Sequence, residues 1–298
     1  MLRRLGTIAL GVGAAASGLY FHNDLKVFAA TILDKSAQKS LLDGPFNGPM
    51  YSNDPSFPIK PWDHNWDFRD PLSLIDPTLY GKADEETRKQ MLEKARPTAT
   101  RNIFLIRHGQ YHLEDNDPKT HVLTKLGREQ ASLLGQRLSV TNIKFDSAVM
   151  STMPRAMETA NLALEKLPNV PSKMDSLLEE GAPYPPEPVA YHWQPRYHWQ
   201  PRPRKFFSEG ARIEAAFRKY IHRASVYQKE DSNELIVCHG NVIRYFICRA
   251  LQFPPEGWLR MSVAHTSITW IVIRPNGSVS IRSIGDYGHC HPEKISFS

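Results

Sequence analysis

The sequence predicts an α/β domain built on a mostly parallel sheet with helices on both faces. Three observations predict it. The runs at 103–106, 147–150 and 235–238 are short and largely apolar, as strands buried on both faces must be. A stretch of helical periodicity follows each run, with apolar residues three and four apart. Strands that alternate with helices in this way form a parallel sheet with a helix layer on either side.

A chain of 298 residues has room for one large domain with appendages. With 41% hydrophobic and 23% charged residues it is an ordinary globular chain. The net charge of +6 comes with no nucleic-acid-binding motif, and its basic residues are spread along the chain. No nucleic-acid partner is therefore expected, and the basicity fits an anionic substrate. Cys238, Cys248 and Cys290 form neither a complete disulfide framework nor a CxxC pair. Cys238 and Cys248 read as core thiols, which favours a reducing compartment.

Taken in order, Arg3 and Arg4 precede an uncharged, Gly- and Ala-rich run from 5 to 21. As a helix that run spans about 25 Å, a little less than a bilayer core of about 30 Å. Residues 1–22 are expected to form a single-pass membrane anchor that also targets an organelle; a cleaved signal and a transit peptide are the alternatives. Residues 23–100 are punctuated by proline and read as a linker, with a polar helix over 84–95. Within it, residues 62–71 interleave Trp62, Trp66 and Phe68 with acids and Arg69. Such side chains anchor interfaces, and the other option is that they pack back on their own domain.

The catalytic domain is expected over 101–298. Its first strand stops at Arg107-His108-Gly109, and a polar loop follows over 111–121. Thr124 caps a helix whose buried stripe is expected at Leu126, Leu133, Leu134 and Leu138. The second strand ends at Ser151, and Pro154 opens a helix with Arg155 in its first turn. Residues 191–196 (YHWQPR) are duplicated at 197–202, which reads as an expanded surface loop. Ser208 is expected to cap a long amphipathic helix to about Tyr227. The third strand ends at His239-Gly240-Asn241, and an Asn276-Gly277 hairpin closes the domain.

Parallel strands deliver their ends to one edge of the sheet, where α/β proteins bind ligands. That edge gathers two histidines, His108 and His239, and two arginines, Arg107 and Arg155. The set points to phosphoryl transfer, a reaction governed by positioning and electrostatics.

The motifs LIRHGQ (105–110), LTKLGREQA (123–131), LLEEG (177–181) and CHGNVIR (238–244), with the stretch 151–160, resemble the histidine phosphatase superfamily, phosphoglycerate mutase branch. The likeness spans 102–285. It implies the three-layer α/β/α histidine phosphatase (phosphoglycerate mutase-like) fold and a metal-independent protein serine/threonine phosphatase with no cofactor. By the family pattern His108 is the nucleophile, and Arg107, Arg155 and His239 surround the phosphoryl group. The acid falls in the turn 177–181: the pattern points to Glu180, with Glu179 adjacent. Sugar-phosphate members continue RHGES, whereas Gln110 and Tyr111 follow here, which fits a more open cleft. A phosphoglycerate mutase or small-metabolite phosphatase and an oligomeric mitochondrial scaffold are the competing readings. The resemblance further implies a mitochondrial membrane location. It implies a phosphoprotein substrate, with an apoptosis signal-regulating kinase as one candidate in stress and cell-death signalling. It also implies a homo-oligomer assembled through Trp62, Asp63, Asn65, Trp66, Asp67, Arg69 and Pro71.

Overall fold

The computed structural model describes residues 61–114, 117, 120–188 and 203–297, with backbone alone at 203–205. The expected anchor at 1–22, most of the proline-rich stretch at 23–60 and the duplicated copies at 191–202 lie outside the described residues. Among the described residues no helix is long and apolar enough to cross a membrane.

The compact unit runs Trp62–Ser298. Its elements are α1 (Pro77–Lys82), α2 (Glu85–Ala95), β1 (Arg101–Arg107), α3 (Lys125–Ser139), β2 (Ser147–Met150), α4 (Pro154–Leu164), β3 (Ser172–Met174), α5 (Pro203–Tyr220), β4 (Ser232–Cys238), α6 (Gly240–Ala250), β5 (Ile268–Ile273) and β6 (Val279–Asp286). They build one six-stranded sheet in the order β3-β2-β4-β1-β5-β6. The pairings β2/β3, β2/β4 and β1/β4 are parallel, whereas β5 and β6 run antiparallel at one edge. The sheet is therefore mixed.

Side chains of β1 alternate between the faces, as a strand requires. Ile103 and Leu105 join the core with Phe217 of α5 and Val242 and Phe246 of α6. Phe104 and Ile106 join the opposite core with Leu134 and Leu138 of α3 and Ala160 and Ala163 of α4. Both faces are thus covered, and the three layers follow. Cys238, Cys248 and Cys290 are buried free thiols.

Several expected boundaries shift, each for a local reason. The inward stripe of α3 is Gln130, Ala131, Leu134 and Leu138, while Leu126 and Leu133 are half-buried. Helix α5 begins at Pro203, where a missing N–H costs little, so Ser208 lies inside the helix and not at its N-cap. It ends at Tyr220 rather than Tyr227, because the Arg223 amide donates to Asp67 Oδ2 (2.8 Å) instead of to the preceding turn. The polar helix expected over 84–95 is present as α2, capped by Asp84.

The largest difference concerns 62–100, which belongs to the compact unit and is not a linker. Trp66 packs against Phe217 with ring centroids 6.1 Å apart, and its Nε1 donates to the Gly277 carbonyl (2.9 Å). Asp67 accepts from Arg223 at Nη2 (2.7 Å) and Nε (3.1 Å), and both side chains are buried. Gly277 has φ +82°, and a Cβ there would lie 2.8 Å from the Arg223 guanidinium, so glycine is required twice over. Asp63 exchanges two hydrogen bonds with the Gln252 side chain. Trp62, Asn65, Arg69 and Pro71 are half-buried. The exposed apolar side chains here are Phe68, Leu72, Leu74 and Leu79.

Candidate active site

Register assembles the site. Arg107 pairs with Cys238 and Met150 with Val237, so β1, β4 and β2 end at nearly one level. The next residues, His108, His239 and Ser151, are tied across by the His108 amide on the Cys238 carbonyl (3.0 Å) and the Ser151 amide on the Val237 carbonyl (2.9 Å). Where the chain leaves β1 it passes so close to α3 that a Cβ on Gly109 would stand 2.6 Å from the Gly127 carbonyl oxygen. Thr159 of α4 accepts the Gly109 amide (2.9 Å), and Gln130 accepts that of Gln110 (2.9 Å).

His108 is fully enclosed. Its Nδ1 lies 2.8 Å from the Gly109 carbonyl, which can only accept, so Nδ1 carries the proton. Nε2 therefore holds the lone pair, and Arg155 Nε donates to it at 3.3 Å. Burial first, then the charges of Arg155 and Arg107, hold the His108 pKa well below its ordinary value. The ring is neutral throughout the physiological range.

His239 is the companion histidine, its ring centroid 5.0 Å from that of His108. Its Nε2 contacts Ser151 Oγ (2.8 Å), while its buried Nδ1 has no hydrogen-bond partner. Arg107 donates from Nη1 to the Val263 carbonyl (2.7 Å). Burial lowers its pKa to about 10, which leaves it charged at neutral pH. Arg155 also lies over the Tyr111 ring, 4.7 Å from the centroid.

The turn that follows the short helical turn Ser176–Leu178 presents both glutamates. Glu179 is held by the Thr152 hydroxyl. Glu180 Oε1 accepts the Gly181 amide (3.1 Å), and the carboxyl interacts with Arg155, Arg107 and Arg244. Burial outweighs those cations and raises its pKa, so a protonated carboxyl is accessible there. Asn241 on α6 donates to the Gly181 carbonyl (3.1 Å), and Arg212 on α5 donates to the carbonyls of Glu179 (2.7 Å) and Glu180 (3.0 Å), fixing the turn.

All five sequence-derived site residues, Arg107, His108, Arg155, Glu180 and His239, thus meet at one edge of the sheet. Residues 62–71 do not meet there; Trp66 and Asp67 join the core beside Phe217 and the turn at Arg223. Three further residues escaped the sequence reading. Arg244 follows Gly240 by one turn of α6, a spacing that was legible. Tyr111 stands edge-on to His108 at 5.0 Å. His265, 5.6 Å from the His108 ring, sits in an irregular loop that offers no periodicity to find it by. A buried lone pair ringed by guanidinium groups and faced by a carboxyl can accept a phosphoryl group and return a proton to its leaving oxygen.

Residues 103–286 match the model of the histidine phosphatase superfamily, branch 1. The mitochondrial serine/threonine-protein phosphatase Pgam5 of Caenorhabditis briggsae is 61% identical over 248 residues, 83% of this chain and 84% of that protein. Its namesake in Homo sapiens is 51% identical over 238 residues, 80% of either chain. Among solved structures, a phosphoglycerate mutase from Plasmodium falciparum shares 32% identity over 63% of this chain and 92% of its own, with a TM-score of 0.44. A family match across more than half of the chain, together with relatives this similar over most of their length, establishes that the chain belongs to the histidine phosphatase superfamily, branch 1.

Proposed function

We propose that the chain is a mitochondrial serine/threonine protein phosphatase working through a phosphohistidine on His108. One observation carries this reading: the His108 Nε2 lone pair lies in a buried, cation-lined site, with Nδ1 anchored on the Gly109 carbonyl. The names of the relatives support the substrate class and the organelle.

His108 Nε2 attacks phosphorus in line, and an N–P bond forms as the P–O bond to the seryl or threonyl oxygen breaks. Arg107, Arg155 and His239 hold the phosphoryl oxygens and stabilise their charge. The departing oxygen takes the proton of Glu180. Water then attacks phosphorus and gives its proton to the Glu180 carboxylate, the N–P bond breaks, and phosphate leaves with His108 neutral. Glu180 takes this role over Glu179 because it faces the arginines with a raised pKa, whereas Glu179 is engaged by Thr152.

The same reading includes an N-terminal membrane anchor over 1–22, self-association through 62–71 and a signalling kinase as substrate. The exposed side chains of Phe68, Leu72 and Leu74 support the self-association surface.

The test supplies the full chain and its His108→Ala variant with a phosphothreonine peptide and, separately, with 3-phosphoglycerate and its bisphosphate primer, without added metal. Phosphate release from the peptide by the unaltered chain alone is expected. Mutase turnover without peptide hydrolysis would overturn the reading in favour of metabolism.

A further inference from the structure

His265 belongs to a hydrogen-bonded network that ties it to Ser296 and Gln130. Its Nδ1 lies 2.9 Å from Ser296 Oγ, and its Nε2, although buried, has no hydrogen-bond partner. Gln130 determines what Ser296 can do. The Gln130 carbonyl oxygen accepts the Gln110 amide (2.9 Å), so its nitrogen is the end that donates, to the Lys294 carbonyl (2.7 Å) and to Ser296 Oγ (2.9 Å). Ser296 Oγ thus already accepts one proton. Its hydroxyl keeps a second lone pair and its own proton, so it can either accept from His265 Nδ1 or donate to it. Where Ser296 donates, the neutral imidazole accepts at Nδ1 and carries its proton at Nε2.

The ring is neutral, since burial, followed by the charge of Arg107, lowers its pKa to about 3. Its backbone is fixed by the same segment, the His265 amide donating to the Ser296 carbonyl (3.1 Å). In that tautomer Nε2 is an N–H donor with no acceptor, buried beside His108 and within the field of Arg107 and Arg155. Leaving such a group unsatisfied is costly unless an acceptor arrives.

We propose that His265 is a further phosphoryl-contacting residue, donating from Nε2 to a phosphoryl oxygen, and that Ser296 is its positioning residue. This rests on the reading of His108 as phosphoryl acceptor. The C-terminal segment thereby contributes to the site: Ser296, by donating to Nδ1, supports the Nε2–H form when a phosphoryl oxygen is bound and, through Gln130, braces the loop that carries Gln110.

The experiment compares the full chain with His265→Ala, His265→Gln and Ser296→Ala, with thermal unfolding run alongside to verify folding. Turnover of p-nitrophenyl phosphate, inhibition by orthovanadate and calorimetric binding of inorganic phosphate are measured for each. His265→Ala is expected to lower kcat and vanadate affinity by about 10²-fold, the usual effect of losing one oxyanion donor. His265→Gln, whose amide N–H reaches close to the Nε2 position, is expected to restore most of the loss. Ser296→Ala should fall between them, with KM nearly unchanged. A folded His265→Ala protein that retains its vanadate affinity overturns the proposal, as does a folded His265→Gln protein no better than His265→Ala. If the unaltered chain neither turns over substrate nor forms a phosphohistidine, the underlying reading fails. Phosphate calorimetry then decides the proposal separately: binding weakened in His265→Ala supports it, and binding unchanged or absent overturns it.

Discussion

Two buried polar regions of this molecule obey opposite rules. At the 62–71 segment, Asp67 and Arg223 are both enclosed, and each makes several hydrogen bonds. At the carboxyl edge of the sheet, His239 Nδ1, His265 Nε2 and Arg244 Nε are equally enclosed and have no hydrogen-bond partner. Burying polar groups is costly in both places. In the first region the protein compensates internally, which is the signature of a structural clamp. In the second the compensation is left for a ligand, which is the signature of a site.

The sharpest way to break this comparison is to remove the nucleophile. His108→Ala is expected to lower phosphothreonine-peptide turnover by about 10⁴-fold or more and to abolish ³²P transfer to the protein, since covalent chemistry has no substitute there. Glu180→Gln comes next, at about 10³-fold on the same peptide, within the usual range for a lost general acid. A leaving-group series sharpens it: p-nitrophenyl phosphate, whose oxygen needs no proton, should lose far less. The sign of the pH dependence follows from the shifts. His108 must be neutral, and its depressed pKa keeps it so down to acidic pH. Glu180 must be protonated, and its raised pKa carries that form above the ordinary 4.5 before it is lost as pH rises. The alkaline fall in kcat/KM should therefore vanish in Glu180→Gln; its persistence would assign that limb to another group.

In the clamp, Asp67→Ala is expected to cost about 3 kcal/mol in urea unfolding, the lower end for orphaning a buried guanidinium. Asp70, 3.8 Å from Arg223 Nη1, retains part of the compensation. Burial pushes the Asp67 carboxyl up, but hydrogen bonds and charge from Arg223 more than offset this and leave its pKa lowered. Its contribution is thus complete above the ordinary 3.8 and is lost as pH falls through the lower folded value. Asp67→Asn should flatten that acid limb of the stability curve.

What was legible in the sequence divides along the same line. Strand ends could be read because an apolar run stopping at Arg107-His108 or at His239 announces both a strand and its terminus. Turn and cap chemistry was equally local, as at Thr124, Pro154 and Asn276-Gly277. The clamp was not legible. Asp67 and Arg223 are joined only in three dimensions, and a proline-punctuated segment gives no sign that Trp66 will reach the Gly277 carbonyl. His265 was hidden for a related reason, since the groups that hold it, Ser296 and through it Gln130, are distant in sequence. The mixed edge of the sheet was partly visible, because an Asn-Gly turn between two apolar runs demands antiparallel strands.

The smallest expected effect tests which molecule completes the clamp. Trp66→Phe keeps most of the apolar contact with Phe217 but removes the Nε1 bond to Gly277. A buried carbonyl left without that donor costs about 1 kcal/mol. In a domain of this size that lowers Tm by about 2–4 °C. The bond lies within one chain here, so Tm should fall while the sedimentation coefficient of the full chain stays the same. The opposite pattern, with Tm unchanged and association weakened, would mean that Trp66 completes its hydrogen bond on a second copy. The internal compensation that defines the clamp would then be a property of the assembly rather than of the single chain.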